Sequence, residues 1–162
     1  SAPVVAAGGI VDGRGLAAAL AAGADGVWVG TRFVASTESE AHPEYKKRLL
    51  SASAADTVYT EAFHVGWPPQ SPHRVLRNSI TDGSAPPSGP IAHARVDGQT
   101  VEVPLYGSAT PTVHTEGRTE LMANYAGQGV GLVCEILPAA EIVSQIVSEA
   151  ETIIRRLPAM IS

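Results

Sequence analysis

The sequence predicts an α/β fold, the C-terminal portion of a parallel (β/α)8 barrel, and three observations carry that prediction. Two short apolar runs, Val4-Val5-Ala6-Ala7 and Gly26-Val27-Trp28-Val29, each pass straight into glycine, at Gly8-Gly9 and at Gly30-Thr31. An alanine-rich stretch with helical character joins them, which is the strand–helix–strand alternation of a parallel sheet. Strands that end in glycine uncover backbone N–H groups, and barrels of this type often build a phosphate site from the loops after strands 7 and 8. The two units are therefore expected to be the last two of the barrel, followed by a loop and hairpin excursion and a C-terminal helix.

Each element has a local reason. Residues 3–7 are small and apolar and read as a buried strand. Asp12 is placed to cap a helix over residues 16–22, with Gly23 at its C′ position. Residues 26–29 form the second buried strand, and a short helical turn over 32–35 follows Gly30-Thr31. Pro43 suits the first position of a helix over 44–50 whose apolar side is Tyr45, Leu49 and Leu50, and His42 is expected to cap or pack there. Residues 57–60, Thr-Val-Tyr-Thr, are β-rich.

From Trp67 to Pro90 the chain carries Pro68, Pro69, Pro72, Pro86, Pro87 and Pro90 among Gly and Ser, and reads mostly as loop, with a helical turn over 72–78. Residues 91–96 and 100–103 flank Asp97-Gly98, the two-residue signal of a type I′ hairpin. The last element begins at Pro138 and runs through Ile142, Val143, Ile146, Val147, Ala150, Ile153, Ile154 and Leu157, an amphipathic stripe. Glu141 near its start and Arg155-Arg156 near its end complement the helix dipole. The expected organisation is one incomplete domain in three stretches: 1–56 with the phosphate site, 57–120 as the excursion, and 121–162 as a glycine loop and helix.

Composition narrows the function classes. At 162 residues the chain suits one domain, and 44% hydrophobic with 17% charged residues is a globular balance. A net charge of −5 with 11 Lys plus Arg argues against nucleic acid or an anionic membrane as partner. No apolar run reaches the roughly 18 residues of a spanning helix, and the first residues read as a core strand instead of a leader. A cytoplasmic location is the expectation. The single Cys134 can form no internal disulfide and is expected to be a buried small hydrophobe. The five histidines lack metal-ligand spacing, so no metal is assigned. A chain that opens on a core strand also looks like part of something larger, its partner being a missing N-terminal barrel half or a second copy.

The candidate site rests on the glycines. Gly8 and Gly9 suit one phosphate ledge and Gly30 and Thr31 a second; either pair alone also serves a tight turn, and the two together favour phosphate. The G-x-G-x-x-G order of a dinucleotide fold and the Gly-Lys-Ser/Thr ending of a nucleotide loop are both absent from Gly8-Gly9-Ile10-Val11-Asp12-Gly13. Downstream, Tyr125, Gly127 and Gln128 stand in a glycine-rich run that passes close to a ligand or forms a turn before a strand. His64, Trp67 and His73 flank the proline-rich loop and read as a solvated loop or a substrate mouth.

Three stretches resemble nitronate monooxygenases: Val4-Val5-Ala6-Ala7-Gly8-Gly9-Ile10, then Gly23-Ala24-Asp25-Gly26-Val27-Trp28-Val29-Gly30-Thr31-Arg32-Phe33, then Glu38-Ser39-Glu40-Ala41-His42-Pro43. Tyr125-Ala126-Gly127-Gln128-Gly129-Val130-Gly131 and Leu137-Pro138-Ala139-Ala140-Glu141 extend the likeness, which is weakest over 67–119. The resemblance implies a (β/α)8 barrel holding FMN, with the phosphate on Gly9, Trp28, Val29, Gly30 and Thr31, and with the loop of Tyr125, Gly127 and Gln128 near the flavin on the substrate side. It implies an oxidoreductase that oxidises alkyl nitronates with O2. The family often has Gln where Trp28 stands, which leaves backbone contacts at that position.

The family's catalytic His lies in a Gly-rich segment on an earlier strand. None of His42, His64, His73, His93 or His114 has such surroundings, so no catalytic residue is assigned and the chain alone is expected to be inactive. A flavin-dependent enoyl reductase of the same barrel group and a noncatalytic phosphate-binding or assembly module are the alternatives.

Overall fold

A computed structural model describes residues 2–84 and 88–160. Pro86 and Pro87 of the proline-rich stretch lie outside the described residues. Strand β1 (Val5–Ala7) pairs in parallel with β2 (Gly26–Trp28), in the register Val5 to Gly26 and Ala7 to Trp28. Helix α1 (Gly13–Ala21) makes the crossover between them. Asp12 caps it as expected, its side chain accepting from the amides of Arg14 and Gly15, and Gly23 turns the chain at φ 95°. Asp25 then ties the turn to the first strand: Val4 N–H donates to its carboxylate at 2.7 Å, and its own N–H donates to the Val4 carbonyl.

The two strands are not buried. Val4, Val5 and Trp28 are 59%, 52% and 74% exposed. The sheet holds only β1 and β2 among the described residues, so nothing covers the apolar groups that a wider parallel sheet would bury.

Helix α2 (Thr31–Val34) follows β2, and α3 (Pro43–Ser51) starts at Pro43 with the His42 ring nitrogen Nδ1 accepting from the Glu44 amide. Tyr45 and Leu49 of α3 pack with Leu76, Ala126 and Val130 in one apolar cluster. The buried Lys46 of the same helix donates to the carbonyls of Ser36 and Ser39 at 2.7 Å each, fixing the segment after α2 onto α3.

The excursion is more ordered than its prolines suggest. Strand β3 (Thr57–Thr60) pairs antiparallel with β4 (His73–Leu76), where the sequence reading places a helical turn. Pairing decides it: the four residues run in register with β3, from Leu76 opposite Thr57 to His73 opposite Thr60, and Arg74 lies over the Tyr59 ring. The hairpin of β5 (Ala92–Val96) and β6 (Gln99–Val103) turns at Asp97 and Gly98, both at positive φ as a type I′ turn requires. A third strand, β7 (Thr115–Gly117), adds to β5 and makes the order β6-β5-β7. Phe63, Val75, Ile80, Ile91, Ala92, Val103, Leu121, Met122 and Ala123 form a core under these strands.

Helix α4 (Ala139–Arg156) begins one residue after Pro138, which sits at the N-cap. Of its stripe, Ile142, Ile146 and Ala150 are buried, while Val143, Val147 and Ile154 are exposed. It packs on α1 so closely that a Cβ at Gly13 would lie 2.5 Å from the Ala150 nitrogen. Cys134, ahead of α4, is exposed and not the buried hydrophobe expected, because it lies in an irregular segment at the rim of α4. No helix of the described residues is long and apolar enough to cross a membrane.

The first amide of α4 is held by Glu38, whose carboxylate oxygens accept from Ala139 N–H at 2.9 and 3.0 Å. That hydrogen bond keeps the Glu38 pKa below the ordinary glutamate value. A depressed folded-state pKa gives stability that is present above the unfolded-state value and is lost as pH falls through the folded one. Glu38→Gln is therefore expected to lower the urea midpoint near neutral pH, and the gap from the unsubstituted chain should close below about pH 4. A gap that stays constant across that range would show that the carboxylate charge contributes nothing at this helix end.

Candidate functional site

The C-terminal ends of β1 and β2 lie side by side, and the loop from Gly127 to Gly129 closes over them. Together they enclose a cleft of about 230 Å³ lined by Gly8, Gly9, Ile10, Trp28, Gly30, Thr31, Gly127 and Gly129, with Ala7 and Val11. The parallel register brings the two strand ends level, since Ala7 stands opposite Trp28 and the next residues of each chain form the two rims. Gly8 and Gly9 have φ of 96° and 72°, a conformation that L side chains rarely adopt. A Cβ at Gly8, Gly9 or Gly30 would meet nothing within 4 Å, so space stands open beside all three backbones.

Two contacts seat the covering loop. Gly127 N–H donates to the Thr31 hydroxyl at 3.0 Å, which leaves the hydroxyl proton of Thr31 free to point elsewhere. Gly129 presses against the first ledge so tightly that a Cβ there would lie 2.5 Å from the Gly9 carbonyl oxygen and 2.7 Å from Val11. Below the cleft, the buried Arg32 donates through Nη1 to the Glu135 carbonyl at 3.0 Å and anchors α2. Burial pushes the Arg32 pKa down, the nearby Glu135 charge opposing the shift.

No charged side chain lines the cleft among the described residues. Binding there must come from backbone N–H groups, the Thr31 hydroxyl and the Trp28 ring, which suits a compact anionic group better than a carboxylate-seeking cation. The N-terminus of α1 contributes little to the cleft. Arg14 and Gly15 N–H at the start of α1 are taken by Asp12, and Gly13 N–H donates to Glu149 at 2.7 Å, so this end already faces two carboxylates. At about 230 Å³ the cleft is smaller than the roughly 300–1,000 Å³ of sites that enclose a drug-sized ligand.

The structure thus brings together Gly8, Gly9, Trp28, Gly30, Thr31 and Gly127. Val29 is half-buried and Gln128 exposed, and neither lines the cleft. Tyr125 faces the other way: its hydroxyl donates to the Ser108 carbonyl and accepts from Trp67 Nε1, each at 2.9 Å. Tyr45 donates to the Tyr125 carbonyl and fixes the base of the loop, and burial pushes the Tyr45 phenol well above its ordinary value. Gly129 was missed by residue-by-residue reading. Its signal was the alternation of glycine at 127, 129 and 131, which allows a chain to lie against another backbone.

The family model for nitronate monooxygenase matches residues 1–149. The nitronate monooxygenase npaC of Metarhizium robertsii is 39% identical over 160 residues, spanning 94% of this chain and 42% of that protein. Among solved structures, FabK from Thermotoga maritima superposes with a TM-score of 0.72 at 35% identity, over 99% of this chain and 48% of that one. A nitroalkane oxidase from Streptomyces ansochromogenes superposes with a TM-score of 0.63 at 33% identity, over 93% and 40%. The chain therefore spans less than half the length of each of these relatives.

Proposed function

The chain belongs to the nitronate monooxygenase family, and from that premise we propose that it supplies the FMN phosphate cradle of a flavin-dependent oxidoreductase acting on alkyl nitronates. The observation that carries the proposal is the cleft itself: two glycine-ended parallel strands and a glycine loop meet around an uncharged pocket open to backbone. The residues present fit a phosphate. Gly8 and Gly9 present the backbone in a conformation that keeps side chains out of the way, Gly30 does the same on the second rim, and Thr31 offers its hydroxyl proton.

In this reading β1 and β2 are the last two strands of a (β/α)8 barrel, and the uncovered Val5 and Trp28 are surfaces that further barrel strands pack against. The family's flavin accepts and passes on electrons once bound; this chain's residues hold its phosphate end and set its position. No histidine stands at that point among the described residues. His42 is spent on the α3 cap, His64 stacks on Tyr106, and none of the five histidines lines the cleft.

Trp28 stands at the cleft, so its fluorescence reports occupancy. FMN is expected to quench it weakly and saturably in the 162-residue chain, inorganic phosphate to compete, and riboflavin, which lacks the phosphate, to bind at least about tenfold more weakly, the loss of one or more charge-assisted hydrogen bonds. Equal affinity for FMN and riboflavin would remove the phosphate cradle. Turnover of a nitronate by the chain alone would remove the assignment of catalysis to residues other than these.

A further inference from the structure

One buried polar atom is unexplained by the cleft. His73 Nε2, at the start of β4, is buried and has no hydrogen-bond partner among the described residues. Its other ring nitrogen, Nδ1, lies 3.1 Å from the Ser71 carbonyl oxygen. A carbonyl can only accept, so Nδ1 carries the proton and Nε2 of the neutral ring is a bare acceptor. Buried acceptors without a donor cost stability, and native proteins keep few of them.

The ring sits among aromatics. Tyr125 meets it edge-on at 5.1 Å between centroids, and Phe63 and Trp67 stand at 6.2 and 6.3 Å. Trp67 is 48% exposed and covers this group from residues 66–72. That segment is a short connection. It is pinned at its start, where Val65 pairs with Gly107, and at its end, where β4 begins. Between these points, among the described residues, Trp67 Nε1 bonds Tyr125, the Trp67 ring meets that of His73, Trp67 N–H donates to the His64 carbonyl, Gly66 lies against Ser108, and the Ser71 carbonyl accepts from His73 Nδ1. It also contains Gly66 at φ 100° and Gln70 at φ 59°, the latter a strained value for a residue with a side chain.

We propose that residues 66–70 are a movable strap, and that lifting Trp67, while Ser71 keeps its bond to His73 Nδ1, opens a second ligand subsite in which His73 Nε2 and the Tyr125 oxygen accept hydrogen bonds from an uncharged, planar donor. The chemistry of the freed groups sets the ligand class. When Trp67 leaves, Tyr125 loses the bond it accepts and keeps the one it donates to Ser108. Both exposed groups are then acceptors, and aromatic rings form the walls. An amide N–H or a hydroxyl on a flat apolar body satisfies them; a nitronate oxygen, which only accepts, does not. This subsite is separate from the glycine cleft, and Ala126 N–H donating to the Arg74 carbonyl connects the two through the short run from Tyr125 to Gly127.

Phenol and anisole test the proposal, because they share a ring and differ in one donor. In a Trp28→Phe chain Trp67 is the remaining tryptophan, and its emission is titrated with each. The expected result is saturable binding of phenol about tenfold tighter than anisole, the worth of one hydrogen bond, with the His73 Nε2 resonance moving in nitrogen NMR. His73→Phe, which keeps a flat ring and removes the acceptor, should make the two ligands equal. Equal binding to the unsubstituted His73, an Nε2 resonance that stays still at phenol saturation, or no binding of either compound overturns the proposal. If His73→Phe does not fold, the phenol and anisole comparison with the NMR readout decides it alone.

Discussion

Gly129→Ala is expected to abolish the preference for FMN over riboflavin while leaving most of the chain folded. The added methyl would lie 2.5 Å from the Gly9 carbonyl oxygen, 2.7 Å from Val11 Cγ2 and 3.0 Å from the Gly9 carbonyl carbon. Two of those three atoms are backbone and cannot rotate away. The loop has to lift, and lifting it breaks the Gly127 N–H bond to Thr31 on the opposite rim. Overpacking of this kind costs about 1–3 kcal/mol, so urea unfolding should show a lowered midpoint with an unchanged slope. Trp28 quenching by FMN should fall to the level seen with riboflavin. If the preference survives at full strength, the Gly127 to Gly129 loop is no part of the cradle, and the phosphate would have to rest on Gly8, Gly9, Gly30 and Thr31 without it.

Phe63→Ala should produce the larger loss of stability and leave the cleft intact. Phe63 is completely buried and packs in the cluster of Val75, Ile91, Val103 and Met122, far along the chain from the glycine ledges. Truncating a buried Phe costs about 3–5 kcal/mol, from lost transfer energy and the cavity left behind, against a whole-domain stability of about 5–15 kcal/mol. Hydrogen exchange should locate the loss in β4 through β7, with protection of α1 and α4 retained. Uniform loss of protection, including α1 and α4, would show that the two cores unfold as one unit.

The helices were legible because their causes are local. Asp12, Gly23 and Pro43 sit at the positions that start and stop helices, and the caps form as their side-chain chemistry requires. The hairpin turn at Asp97 and Gly98 is legible for the same reason: two adjacent residues tolerate positive φ. The glycine ledges were legible as places where the backbone lies open, because two glycine-ended strands follow one another one strand–helix unit apart and space stands beside Gly8, Gly9 and Gly30. Strand β4 was not, since residues 72–78 read as a helical turn within a proline-rich stretch, and its strand character comes from pairing with Thr57–Thr60 some fifteen residues earlier.

The family and its implied cofactor were likewise written in contiguous motifs, and the family is the part the comparisons establish. What only the tertiary structure decided is which motif residues share a space. Sequence adjacency grouped Val29 with Gly30 and Gln128 with Gly127, yet neither Val29 nor Gln128 lines the cleft, while Gly129 does. Tyr125, next to that loop, turns to Trp67 and His73 on the far side. The reason is physical: a residue's type and its neighbours set the backbone conformations open to it, and so determine capping, turning and the glycine ledges. Which way each side chain faces, and which distant backbone it meets, follows from packing between segments such as Gly129 and Gly9 that are 120 residues apart, and only the folded chain contains that information.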